Sequence, residues 1–198
     1  MGWTKNFGNP TGKFGRMIVS SMNQGHAPIS VWGLEHFRFS DDTNALDIGC
    51  GGGMNLKRML NSSPNGMICG IDISDESLKI SREVNERYLG KRCFIEKGSS
   101  RYIPFEDNKF DLVTAFETIY FWQEIPECFE EIKRVLKANG TFMVVNEITN
   151  PKSIWNRVVE GMNVPSLTQL KQYFTDAGFV DIKIDKKGEW IAIKGRKA

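Results

Sequence analysis

The residues best spaced for chemistry lie in the first half of the chain. Asp47-Ile48-Gly49-Cys50-Gly51-Gly52-Gly53 packs four glycines into five positions, directly behind a short apolar run. Glycines let a backbone pass close beneath a ligand and present N–H groups where a helix begins. A second acid, Asp72, follows ~20 residues downstream, where a nucleotide-binding sheet keeps its ribose acceptor. A carboxylate there accepts two hydroxyl hydrogen bonds. The competing account is a plain tight turn with a surface aspartate, but turning alone does not call for so many glycines. The pair therefore points to a ribose-bearing ligand.

The spacing also bears on which one. A dinucleotide site favours G-x-G-x-x-G, and the sixth position counted from Gly49 is Met54. The pattern is instead D-x-G-x-G-x-G, with the acid two residues before the first glycine. An acid there repels a pyrophosphate and suits an ammonium group. A cofactor with an amino-acid moiety fits better than one with two phosphates, which favours S-adenosylmethionine over NAD.

Other candidates follow from position. Glu117-Thr118-Ile119-Tyr120-Phe121-Trp122 comes after a nearly continuous apolar strand, at the end where open sheets bind ligands. Glu117 is a candidate general base or substrate-binding carboxylate. Tyr120 and Trp122 are candidate acceptor contacts whose faces could stabilise a cation; the alternative is that they only pack the next helix. His26 is a candidate base, since imidazole titrates near neutrality, although a lone histidine is more often structural. His36 is read as structural.

Positioning these residues requires repeated strand–helix units. Apolar runs at 44–48, 67–73, 93–96, 110–116 and 141–146 read as strands. Helical spacing marks 54–60, the stretch from Ser74 towards Gly90, 127–136 and 167–177. Alternation of this kind predicts an α/β fold, a doubly wound, mainly parallel sheet with helices on both faces. Two alternating runs, 180–186 and 190–194, joined at Lys187-Gly188-Glu189, predict an antiparallel hairpin at the sheet edge, giving seven strands. Residues 1–43 read as an N-terminal helical cap over the domain spanning 44–198, one structural domain overall.

Composition sets outer bounds. The chain has 198 residues, 40% hydrophobic and 25% charged, which excludes disorder and fibrous repeats. Its net charge of +2 offers no general polyanion-binding surface. Cys50, Cys69, Cys93 and Cys128 are widely spaced without a C-x-x-C pair, so a metal ribbon or disulfide framework is not expected and a cytoplasmic location fits. No apolar run reaches membrane-spanning length. Residues 1–6 have no apolar signal core, and Asn6 stands where myristoylation wants Ser or Thr.

Ala45-Leu46-Asp47-Ile48-Gly49-Cys50-Gly51-Gly52-Gly53 resembles the first motif of class I S-adenosylmethionine-dependent methyltransferases, and Gly70-Ile71-Asp72-Ile73-Ser74 the second. Ile103-Pro104-Phe105, Phe110-Asp111-Leu112-Val113, and Arg134-Val135-Leu136-Lys137 with Gly140 resemble the ubiquinone/menaquinone-biosynthesis branch, over roughly residues 44–146. The resemblance implies that Asp47, Gly49 and Gly51 line the methionine end of the cofactor, with backbone near Phe116 and Glu117 facing it, and that Cys50 and Phe116 are among the cofactor-binding residues. Asp72 would hold the ribose and Ile73 would pack on adenine. Ser99 stands where the family often has Asp, so Ser99 or Ser100 would meet the adenine edge; Asn139 replaces a usual proline.

The implied function is methyl transfer to a small-molecule acceptor. Against an RNA or protein acceptor stand the absence of N/D-P-P-Y/F after the fourth strand and of an appended RNA-binding module. An NAD-linked oxidoreductase and a cofactor-binding protein without catalysis are the other readings. The acceptor and the oligomeric state are left open, the acceptor pocket falling to residues 1–43 and 147–166.

Overall fold

A computed structural model describes residues 11–147 and 150–198. The first ten residues of the expected cap, and with them the reading of residues 1–6, lie outside the described residues, as do positions 148 and 149 of the expected acceptor region.

Seven strands form one sheet: β1 (Ala45–Ile48), β2 (Ile68–Asp72), β3 (Cys93–Lys97), β4 (Phe110–Phe116), β5 (Leu136–Asn146), β6 (Phe179–Lys187) and β7 (Trp190–Lys197). Their order is β3-β2-β1-β4-β5-β7-β6. The first five run parallel, and β7 enters antiparallel between β5 and β6. The expected hairpin is present, with a refinement: its second strand is inserted inward and its first becomes the sheet edge. Burial explains the choice, since Ile191, Ala192 and Ile193 on β7 are buried while β6 carries exposed Val180, Asp181 and Lys183. Strand order reverses between β1 and β4, so their carboxyl ends open a crevice for a ligand.

Helices cover both faces. On one side, α3 (Met54–Ser62) and α4 (Asp75–Val84) set Leu56, Met59, Leu60 and Leu78 against Ala45, Ile68 and Leu112. On the other, α5 (Ile125–Val135) and α7 (Leu167–Asp176) bury Phe129, Ile132, Leu170 and Phe174 against Phe142, Val144 and Ile193. Rings pack edge-to-face there, as between Phe129 and Phe174 at 5.2 Å. Arg134 of α5 donates to the carbonyls of Ile103 (2.9 Å) and Phe105 (2.8 Å), tying the β3–β4 connection to the helix. That gives two of the motifs read from sequence a shared structural role.

Three local readings shift. The helix expected at 127–136 starts two residues earlier and ends at Val135, and Leu136 is already extended as the first residue of β5. Asn139 and Gly140 therefore lie within the strand, with Asn139 at a φ of 65°. The helix after Ser74 ends at Val84, and a 3₁₀ turn at Glu86–Tyr88 follows. The cap contains a full helix, α1 (Gly12–Gly25), followed by α2 (Ala27–Leu34). Arg16 ties α1 to α4 through Glu83 and Glu76. A short helix, α6 (Trp155–Val158), lies between β5 and α7.

Candidate active site

A cleft of about 320 Å³ opens at the carboxyl ends of β1, β2 and β4, with α1 and the start of α2 as its opposite wall. Its size lies at the lower end of the range of small-molecule and cofactor pockets. The glycine bend forms the floor. Gly49 has a φ of 72°, and a Cβ there would come within 2.4 Å of Thr118 Oγ1, so the bend seats directly against the loop after β4. Gly53, with a φ of 76°, abuts Ser81 and Asn85 of the α4 segment in the same way. Side-chain-free residues are needed at both points, one for the floor and one for the helix seam.

Two acids flank the bend. Asp47 is fully buried at the end of β1, where the Thr114 hydroxyl donates to Oδ1 at 2.7 Å. Burial pushes its carboxyl up to about 7 against the help of that hydrogen bond. A cation beside it would relieve the cost of ionising it. Asp72 receives the Gly51 N–H on Oδ2 and the Ser74 N–H on Oδ1, each at 2.9 Å. These donors fix the carboxylate across the bend, while burial raises its affinity for a proton. A carboxylate has room for further donors beyond two, and Ile73 beside it exposes an apolar side chain at the cleft edge. A cationic amino acid at one end, a diol in the middle and a flat apolar ring at the other match these groups.

A methyltransferase-domain family model matches residues 39–187. The chain belongs to the methyltransferase-domain family. The demethylmenaquinone methyltransferase of Symbiobacterium thermophilum is 34% identical over 120 residues, 60% of this chain and 47% of that protein. The sterol 4-C-methyltransferase strm-1 of Caenorhabditis elegans is 30% identical over 140 residues, 68% of this chain and 39% of that protein. The chain thus spans about half the length, or less, of these relatives. Human N-acetylserotonin methyltransferase, solved in complex with S-adenosylmethionine, superposes with a TM-score of 0.75 at 18% identity, covering 92% of this chain and 55% of that one. The last likeness is one of fold.

Within this methyltransferase domain the cleft gathers Asp47, Gly49, Cys50, Gly51, Asp72, Ile73, Ser99, Ser100, Phe116, Glu117, His26 and Trp122. Ser100 is buried and its hydroxyl accepts from the Cys128 thiol at 3.2 Å; Ser99 pairs through its backbone with Tyr102. His26 stands at the junction of α1 and α2, and burial lowers its pKa, favouring the neutral imidazole. Tyr120 is the exception: expected to touch the acceptor, it lies in the core, 2% exposed and absent from the cleft lining. Ile119–Phe121 is a 3₁₀ turn, in which successive side chains point about a third of a turn apart. Tyr120 is turned inward as Phe121 and Trp122 face the cleft.

Glu117 has a more elaborate setting than its position alone suggested. It holds a φ of 54°, uncommon for a residue with a side chain. The Glu147 N–H donates to Oε1, and the Tyr120 hydroxyl to Oε2 at 3.2 Å. Burial, with the like charge of Glu147, pushes Glu117 up to about 7. Sequence reading missed Asn23, Asn55, Arg58, Arg101 and Gln123, which also line the cleft. Asn55 and Arg58 share one face of α3 just beyond the bend, and that spacing was the available signal.

Proposed function

We propose that this methyltransferase domain binds S-adenosylmethionine and transfers its methyl group to a small-molecule acceptor. The observation that carries the reading is the glycine bend held between Asp47 and Asp72 on the cleft floor. Asp47 takes the ammonium of the methionine end, Asp72 the ribose hydroxyls and Ile73 the adenine face, with Ser99 and Ser100 at its edge. When bound, the cofactor supplies an already activated methyl group on sulfur. The domain's own work is to hold the acceptor in line, exclude water, and take a proton where the acceptor carries one. Glu117 is positioned for the proton, and neutral His26 is a second acceptor on the opposite wall. Trp122 supplies an aromatic face for the acceptor or the sulfonium.

A small acceptor agrees with the near-neutral charge of the chain and with the substrates named for the two sequence relatives. Four free, buried cysteines suit a reducing, cytoplasmic setting. No helix among the described residues is long and apolar enough to cross a membrane. Calorimetric titration with S-adenosylhomocysteine and, separately, NAD is the test. Saturable binding of the former alone is expected; binding of NAD, or of neither, defeats the reading.

A further inference from the structure

Resting on the reading of the cleft as a methyl-transfer site, the charges at its β4 end narrow the acceptor class. Glu117 lines the cleft there, and the charge acting on its carboxyl is the like charge of Glu147. Glu147 follows β5 directly, and its carboxylate accepts from the Trp190 indole at 3.3 Å. It also acts on His26, where burial outweighs it and lowers the imidazole pKa. The nearby Lys187 lies over the Trp190 ring, 5.3 Å from its centroid. Among the lining residues the full cations are Arg58 and Arg101. Arg101 is ion-paired with Glu124, and Arg58 donates to Asn55 Oδ1 at 3.0 Å from α3. The β4 end thus combines acid with the rings of Phe116, Phe121 and Trp122. Such a lining attracts a cation and repels an anion.

We propose that the acceptor is an amine that enters as an ammonium ion and takes Glu117 as its counter-charge. Among the described residues lining the cleft, Arg101 is already paired with Glu124 and Arg58, on α3, does not act on the Glu117 carboxyl, so a carboxylate or phosphate there meets acid rather than a basic partner. A phenol or hydroquinone that gave its proton to Glu117 would become anionic on oxygen within the field of the Glu147 carboxylate, which opposes the reaction. The amine reverses that sign. The ammonium gives one proton to the Glu117 carboxylate, leaving a neutral amine and a carboxylic acid. The nitrogen lone pair then forms the N–CH₃ bond as the S–CH₃ bond breaks, its electron pair going to sulfur and the positive charge to nitrogen. The Tyr120 hydroxyl and the Glu147 N–H hold the carboxyl in place for this exchange.

The experiment uses the full chain saturated with S-adenosylhomocysteine. It is titrated with phenethylammonium and its isosteres 3-phenylpropionate and 4-ethylphenol, and turnover with S-adenosylmethionine is followed by mass spectrometry. Ammonium binding at least tenfold tighter than either isostere is expected, with the product methylated on nitrogen. Glu117→Gln should remove that preference tenfold or more, and Glu147→Gln, at an exposed carboxylate, should reduce it by about threefold. Equal or tighter binding of the carboxylate or the phenol, or a preference unchanged in both variants, overturns the proposal. Failure of S-adenosylhomocysteine to bind would instead defeat the underlying functional reading, and this inference with it.

Discussion

At the scale of single residues, Asp72 is tied to the bend more tightly than its sequence position required. Two backbone N–H groups, from Gly51 and Ser74, converge on it at 2.9 Å. Asp72→Ala removes the proposed ribose acceptor and strands both donors. With charge-assisted hydrogen bonds contributing about 1.5–3 kcal/mol each, affinity for S-adenosylhomocysteine should fall at least ~100-fold in calorimetry. Asp72→Asn keeps the shape and should fall by about tenfold; full affinity in either variant would mean that the ribose lies elsewhere. Tyr120 acts through another residue. Its hydroxyl donates to Glu117 and favours the ionised carboxylate, against the burial that pushes it up to about 7. Tyr120→Phe should therefore move the rising limb of the pH–rate profile to higher pH, while Glu117→Gln should abolish that limb. A merely structural tyrosine would lower the rate at every pH alike.

Among the elements, the seam between α3 and α4 decides whether the floor of the cleft keeps its shape. Asn85 donates from Nδ2 to the carbonyls of Gly53 (3.0 Å) and Ser81 (2.9 Å), inside a buried contact that a Cβ at position 53 would enter. Left-handed backbone strain of about 1–2 kcal/mol adds to overpacking of about 1–3 kcal/mol. Gly53→Ala should consequently lower Tm by roughly 5–15 °C in a thermal melt and weaken cofactor binding with it. An unchanged melt would mean that the seam is loose. This bend was legible because glycines at fixed spacing carry a backbone requirement directly. The parallel strands were legible for a related reason, since residues 110–116 form a nearly continuous apolar run, interrupted by Asp111 and Thr114. What sequence missed depends on direction rather than type. Tyr120, Phe121 and Trp122 are three aromatics in a row, and only the 3₁₀ turn separates the buried ring from those at the cleft. Within the helical cap the length of α1 was not legible, because Gly12, Gly15 and Gly25 dilute its apolar stripe and Met17 is exposed. Leu136 was assigned to the preceding helix because apolar spacing continues across a boundary that the pairing of Leu136 with Phe110 sets.

The whole molecule carries an unusual proton balance because its site concentrates buried acids. Asp47 and Glu117 are both pushed up to about 7, and Asp72 is raised as well. Each keeps its proton in the folded chain at pH values where the unfolded chain has lost it. Folded protein therefore binds more protons than unfolded protein between about pH 4.5 and pH 7, and stability falls as pH rises through that window. His26, lowered by burial, works in the opposite sense over the upper part of the window. Glu131 and Glu83, both lowered by arginine partners, add stability that is lost only at more acidic pH. Three raised acids against one histidine set the sign, so ligand-free protein should melt at a lower temperature at pH 7.5 than at pH 5.5. On the proposed placement of the cofactor, its binding opposes the trend, because an ammonium beside Asp47 favours the ionised form. The rise in Tm on saturating with S-adenosylhomocysteine should be larger at pH 7.5 than at pH 5.5, and Asp47→Asn should flatten both dependences. A ligand-free Tm that climbs steadily from pH 5.5 to 7.5 would contradict the burial of charge on which the proposed cation-binding role of Asp47 rests.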